Sequence, residues 1–302
     1  MAGPGVSRRR MLGWMAAAGA AGVTGASVVG TRLATAVPAA EVVTRQEIRT
    51  LTPDQRTRFF NAVKTLHDNN AANNQYNRFV LTHYNFRSQG HGVAAFLPWH
   101  RKFLRLFEAA LQRIDPTVVL PYWDWTLDSQ RPERSEVLSS AYFGGNGTGS
   151  NRCVTNGAFA GWQVRYPNLH CLQRQYSGGS TIGSWYSPGM IENVLNTNRQ
   201  SYDQFRRAIE GSPHASVHVN IGGDMSQMYS PNDPLDWVNH AFVDLLWAEW
   251  QARNPNLANT YNGGGAASSN ILAPFGVTVA STLDTRALGY TYPRWSGSSR
   301  PA

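Results

Sequence analysis

Phe96-Leu97-Pro98-Trp99-His100-Arg101-Lys102-Phe103-Leu104-Arg105-Leu106-Phe107-Glu108-Ala109-Ala110-Leu111 is the stretch on which the fold turns. Pro98 has the fixed backbone angle of a helix's first turn, where its missing N–H costs nothing, so it predicts a helix start. Beyond it, His100, Phe103, Phe107 and Leu111 recur at intervals of three and four, the spacing that lines one helix face. His100 is thus presented from the first turn of a helix whose apolar side is buried. It has company: His83 and His91 lie just upstream, and His214, His218 and His240 form a second group, in a chain with only eight histidines. Neutral imidazole is the commonest protein ligand for late first-row metals. Three nitrogens from each group would build two metal sites, and two facing sites would make a binuclear centre.

Working outward, Thr52-Pro53-Asp54 reads as a helix N-terminus, with Phe59, Val63 and Leu66 following at helical spacing. His67, at the end of that helix, reads as a surface or core residue, not a ligand. A second helix is expected from about Asn74 to Phe86, carrying His83, and residues 87–97 form a loop around Gly90, His91 and Gly92. The apolar, aromatic run Val118–Trp125 is followed, from about Asp128 to Pro188, by a Gly-, Ser- and Asn-rich excursion with little periodicity. A further helix is expected over Ser201–Glu210. His214 and His218, four apart, share one side of a helix. Asn232-Asp233-Pro234 opens another, running to about Arg253 with His240 and Asp244 on one face.

Composition narrows the function. Ser7-Arg8-Arg9-Arg10-Met11-Leu12 is a twin-arginine pattern, followed by a weakly apolar Ala/Gly stretch to about Val29. Ala34-Thr35-Ala36 and Val37-Pro38-Ala39-Ala40 offer cleavage points. Residues 1–40 therefore read as a twin-arginine signal peptide handled by the export machinery; the alternative is an uncleaved anchor. The location expected is secreted, or periplasmic or cell-envelope. The leader holds four of the 27 basic residues and no acid, which leaves a net charge of about +4 against 19 acids. With no basic run interleaved with aromatics, a nucleic-acid partner is set aside. Cys153 and Cys171 could pair in an oxidising compartment and hold the long excursion; two free thiols are the alternative.

The histidines decide the chemistry. A zinc hydrolase on His214 and His218 would need a glutamate where Ala215 stands, and six imidazoles without a carboxylate exceed one zinc's needs. An all-nitrogen setting fits copper cycling between its two oxidation states. Phe96-Leu97-Pro98-Trp99-His100-Arg101, Leu120-Pro121-Tyr122-Trp123-Asp124-Trp125, Ser230-Pro231-Asn232-Asp233-Pro234 and His240-Ala241-Phe242-Val243-Asp244 resemble the signatures of the tyrosinase family, over about residues 43–295. The resemblance implies a mainly α fold, a four-helix bundle enclosing a binuclear copper site with long loops and little β structure, and residues 41–302 as the copper-binding domain. It assigns one copper ion to His83, His91 and His100 and the other to His214, His218 and His240. It implies O2 as co-substrate and oxidation of small phenols and catechols to o-quinones. The alternatives are o-aminophenol oxidation on the same centre, or oxygen carriage. A copper-loading helper protein is a further possible partner.

By the same resemblance Phe96 is the aromatic lying over the metal site, and Glu210 the acid holding a water near the second ion. Arg45 with Tyr290 and Tyr292 ties the chain ends, and Asp244 and Asn232 are candidates for orienting the imidazoles from behind. Ala215 stands where strong monophenolases of the family often have Asn, so stronger diphenolase than monophenolase activity is expected. His83 and His91 are only eight residues apart, a short loop. Asn239 occupies a position where a second histidine is common, and Asp236 one where a bulky apolar residue is usual; nothing in the sequence explains Asp236.

Overall fold

The structure, a computed structural model, describes residues 42–67 and 74–297. The expected leader lies outside these residues. Helix α1 (Pro53–Leu66) begins where Thr52 and Gln55 cap each other's backbone N–H groups reciprocally. Helix α2 (Gln75–Asn85) is capped by Asn74 and carries His83; a single turn, α3 (Arg87–Gly90), occupies part of the expected loop before His91. Helix α4 (Phe96–Gln112) starts two residues before Pro98. Proline is tolerated there because the first N–H groups of a helix have no partner within it.

A short helix absent from the sequence reading, α5 (Pro188–Thr197), is capped by Ser187 and buries Ile191 and Leu195. Helix α6 (Tyr202–Ile209) follows, then a π-turn over Glu210–His214 broken at Gly211 and containing Pro213, then α7 (Ala215–Ile221). The last helix, α8 (Leu235–Arg253), is buried on nearly all sides, the mark of a central helix. Its start is fixed by Asp233, whose carboxylate accepts the Leu235 N–H at 3.0 Å.

Helices α2, α4, α8 and the α6–α7 pair form the bundle. Trp237 of α8 lies flat on Phe107 of α4, ring centres 3.7 Å apart, with Phe79 of α2 edge-on to both. Phe205 of α6 stacks on Trp250 of α8 at 5.1 Å. Among the described residues strand structure is limited to three two-residue pairs: β1 (Val43–Thr44) with β6 (Tyr290–Thr291), β2 (Gln163–Val164) with β3 (His170–Cys171), and β4 (Ile271–Leu272) with β5 (Val277–Thr278).

The loop-rich excursion is pinned in two ways. Cys153 and Cys171 are disulfide-bonded. Arg174, fully buried, donates from Nε and Nη2 to both Asp233 oxygens at 2.7 and 2.9 Å, tying the excursion to the start of α8. Phe159 and Trp162 fold back onto Phe60 and Tyr76, and His67, buried, stacks on Trp162 at 3.7 Å. The chain ends are joined as expected: Arg45 donates to Tyr292 at 2.7 Å and to both Glu108 oxygens, and β1 pairs with β6.

Candidate metal centre

The bundle aims six imidazoles at one point. His83 leaves the last turn of α2, His91 the loop after α3, and His100 the inner face of α4. His214 ends the π-turn, His218 lies one turn on in α7, and His240 sits mid-way along α8. Within each group the candidate ligand nitrogens all lie within 4.8 Å of one another. The Nε2 atoms of His91 and His100 are 3.1 and 3.4 Å from that of His83, and those of His214 and His240 are 3.4 Å apart. Nitrogens bound about 2 Å from a shared ion sit at such separations. The groups face each other: His100 and His240 stack in parallel with ring centres 4.4 Å apart, and His91 and His214 at 6.2 Å.

For four of the rings the other face settles which nitrogen is free. Nδ1 of His83 donates to the Met228 carbonyl at 2.8 Å, that of His100 to Phe96 at 2.8 Å, that of His218 to Met225 at 2.9 Å, and that of His214 to Glu210 at 3.2 Å. With Nδ1 protonated, each Nε2 carries a lone pair. Lone pairs of His83, His100 and His214 therefore converge, an arrangement that a bound cation would relieve. Burial pulls His83 and His218 down to about 4 and His91 to about 3, and holds His100, His214 and His240 well below the usual imidazole range. All six rings are thus neutral, the ligating form, at ordinary pH. The residues present fit two ions.

Asp244 and Asn232, expected behind the imidazoles, are elsewhere. Asp244 accepts from Arg101 at 2.6 Å and from Tyr290 and Tyr292 at 2.6 and 2.9 Å. Asn232 donates to the Tyr166 carbonyl and to Asp224. Backbone carbonyls do the orienting instead, and no side-chain pattern announces them. Phe96 lies against both groups, its ring centre 4.8 Å from His100 and 5.0 Å from His214. Glu210 accepts the Gly92 N–H at 2.6 Å and an Arg206 N–H at 2.8 Å, and stands 3.9 Å from Nδ1 of His91. It links the His91 loop to the turn that presents His214. His170 pairs with Asp224 at 3.2 Å, away from both groups.

Two groups near the second set were not singled out as functional. Asp236, one turn before His240 and fully buried, has Oδ1 3.8 Å from His240 Nε2 and 3.9 Å from His218 Nδ1. Burial pushes its carboxyl up to about 8, against a hydrogen bond from Ser230. Asn239 places Nδ2 3.1 Å from His218 Nε2. A cavity of about 160 Å³ opens onto His83, His91, His214 and His218, walled by Ala215, Val219 and Met228 among others.

A helical bundle with two facing sets of three imidazoles defines a binuclear metalloprotein with an all-histidine ligand core. The family model described as the common central domain of tyrosinase matches residues 73–253, and a tyrosinase of Streptomyces glaucescens is 37% identical over 70% of this chain and 83% of its own. The chain belongs to the tyrosinase family of copper oxidases. Its fold is similar to that of a polyphenol oxidase from Thermothelomyces thermophila (TM-score 0.72, 23% identity, 83% of this chain and 89% of that one). It is also similar to a functional unit of Octopus hemocyanin (TM-score 0.64, 21% identity, 83% of this chain and 68% of that one).

Proposed function

We propose that the chain uses O2 to oxidise small phenols and catechols to o-quinones, acting on catechols faster than on monophenols. The observation that carries this reading is the convergence of both sets of Nε2 lone pairs at the base of one cavity. The copper pair, when bound, supplies the redox chemistry and the site for O2. The chain supplies the rest. His83, His91 and His100 would hold one ion and His214, His218 and His240 the other, with His83, His100, His214 and His218 pre-oriented by the hydrogen bonds behind them. Phe96 covers the buried side and keeps water from it. The cavity, about 160 Å³, suits a single aromatic ring, since an apolar hole of about 150 Å³ takes up benzene.

Glu210 is proposed to hold a water beside the centre, its two oxygens fixed in place by Gly92 and Arg206. Ala215, on the cavity wall next to His214, brings no polar atom beyond its backbone, so that side chain gives a water no help in taking the proton of a phenol. A catechol, whose oxidation needs no new C–O bond, is less affected. The N-terminal Arg8-Arg9-Arg10 pattern supports export by the twin-arginine route to the periplasm, cell envelope or medium. Among the described residues no helix is long and apolar enough to cross a membrane.

Parallel assays of tyrosine, DOPA, catechol and o-aminophenol with copper-loaded protein test the proposal. Fast catechol and DOPA oxidation is expected, with slow or lagging tyrosine hydroxylation. Rapid, lag-free hydroxylation of tyrosine would overturn the preference. Reversible O2 binding with no catechol turnover would make the protein a carrier instead.

A further inference from the structure

The second set of imidazoles stands on a polar floor that the first does not have. Asp236 Oδ1 and Asn239 Oδ1 are buried and have no hydrogen-bond partner, and neither does His240 Nδ1. All three belong to one turn of α8, at the base of the second set. A buried carboxyl oxygen without a partner is costly, and a cation placed beside it would relieve that cost. The carboxylate near the first set differs: both Glu210 oxygens already accept hydrogen bonds, whereas Asp236 Oδ1 has none and reaches His240 Nε2 as well as His218 Nδ1.

Distances allow Asp236 to serve the second ion. Oδ1 is 3.8 Å from His240 Nε2, and two ligands each about 2 Å from one ion span up to about 4 Å. Asn239 reinforces the site. Its amide plane, turned over, brings Oδ1 to the place where Nδ2 now lies, 3.1 Å from His218 Nε2, and the two orientations differ only in which atom is assigned as oxygen.

We propose that Asp236 is a seventh ligating group of the centre, so that the second ion sits in a mixed nitrogen–oxygen site and the first in an all-nitrogen one. A carboxylate is a harder donor than imidazole and carries a charge that favours a divalent over a monovalent ion. The two ions are then held unequally: the second site takes up Cu(II) more tightly and fills first. The inference rests on the two-metal reading and deepens it.

Metal-stripped wild-type protein, Asp236→Asn and Asp236→Glu are titrated with Cu(II) alone against a competing chelator. Wild type is expected to bind two ions in two resolved steps. Asp236→Asn should weaken the tighter step by 10- to 100-fold, the usual effect of removing a supporting group at a metal site, and leave the weaker one unchanged; Asp236→Glu should recover part of the loss. A His83→Ala background, in which only the second site is complete, should show the same loss with Asp236→Asn. Thermal melts separate ligation from packing: metal-free Asp236→Asn should melt no lower than metal-free wild type, yet gain less from Cu(II). Equal affinities in wild type and Asp236→Asn would overturn the proposal while leaving the two-metal reading intact. Uptake of a single ion by wild type would overturn both.

Discussion

The proposed preference for catechols puts weight on a single methyl group. Ala215 follows His214 on the cavity wall, and the next side chain on that face is Val219, largely exposed. Neither can accept a hydrogen bond. The polar side chains of the cavity, Ser226, Gln227 and Ser230, come from the segment after α7, and the Glu210 carboxylate already serves Gly92 and Arg206. Ala215→Asn adds a carbonyl oxygen and an amide at the cavity wall without touching any metal-facing nitrogen. The expected result is a several-fold rise in the ratio of tyrosine hydroxylation to DOPA oxidation, with copper content unchanged at two per chain. An unchanged ratio in the same assay would remove the water-activation argument and leave the preference to cavity shape.

At the scale of the element, the His91 loop is the weak member. Five of the six histidines leave a helix or the π-turn, whereas His91 leaves the loop between α3 and α4. Gly92, next to it, has a φ of +70°, a conformation that favours glycine. The loop is held to the α6–α7 junction by the Glu210 contacts. Glu210→Gln replaces a doubly engaged carboxylate by an amide that presents an N–H to one of two donors. Local opening of the loop should become easier by about 1–3 kcal/mol, the cost of leaving such a group unsatisfied, read as faster amide exchange at Gly92 while α4 and α8 keep their protection. Unaltered exchange at Gly92 would show that the loop is held by other contacts. The sequence made the helices at either side legible through the Thr52-Pro53-Asp54 and Asn232-Asp233-Pro234 starts and the three- and four-residue spacing after Pro98. It left α5 unread: only Ile191 and Leu195 mark its buried face, although Ser187-Pro188 was a cap of the same kind. The π-turn was equally hidden, because Gly211 and Pro213 read as an interruption when they bend α6 into α7. The six converging histidines were visible as residue types. The hydrogen bonds that aim them were not, since four come from backbone carbonyls that every residue possesses.

Across the whole molecule, buried charges tie distant segments together, and one of them gives the fold a pH signature. Asp124, at the end of the Val118–Trp125 run, accepts from the Trp295 indole at 2.8 Å and from Thr126, so it anchors the chain near its C-terminal end. Burial pushes its carboxyl from 3.8 to about 6, only partly offset by those two donors. The folded state therefore holds the proton more tightly than the unfolded chain. Stability from this group is fully present below about pH 4 and is lost as pH rises through about 6, the reverse of a salt-bridged carboxylate. The difference between 3.8 and about 6 corresponds to about 3 kcal/mol. Carboxylates held below their usual range, such as Asp203 and Glu249, act with the opposite sign at lower pH, so the Asp124 step must be isolated by difference. Urea unfolding of wild type and Asp124→Asn at pH 4.5 and pH 7 does this, because every other titration is common to both. The stability of wild type relative to the variant should fall by about 1–3 kcal/mol between the two pH values. A constant difference would mean that Asp124 titrates alike in folded and unfolded chains, and that the Trp295 contact carries no buried-charge cost.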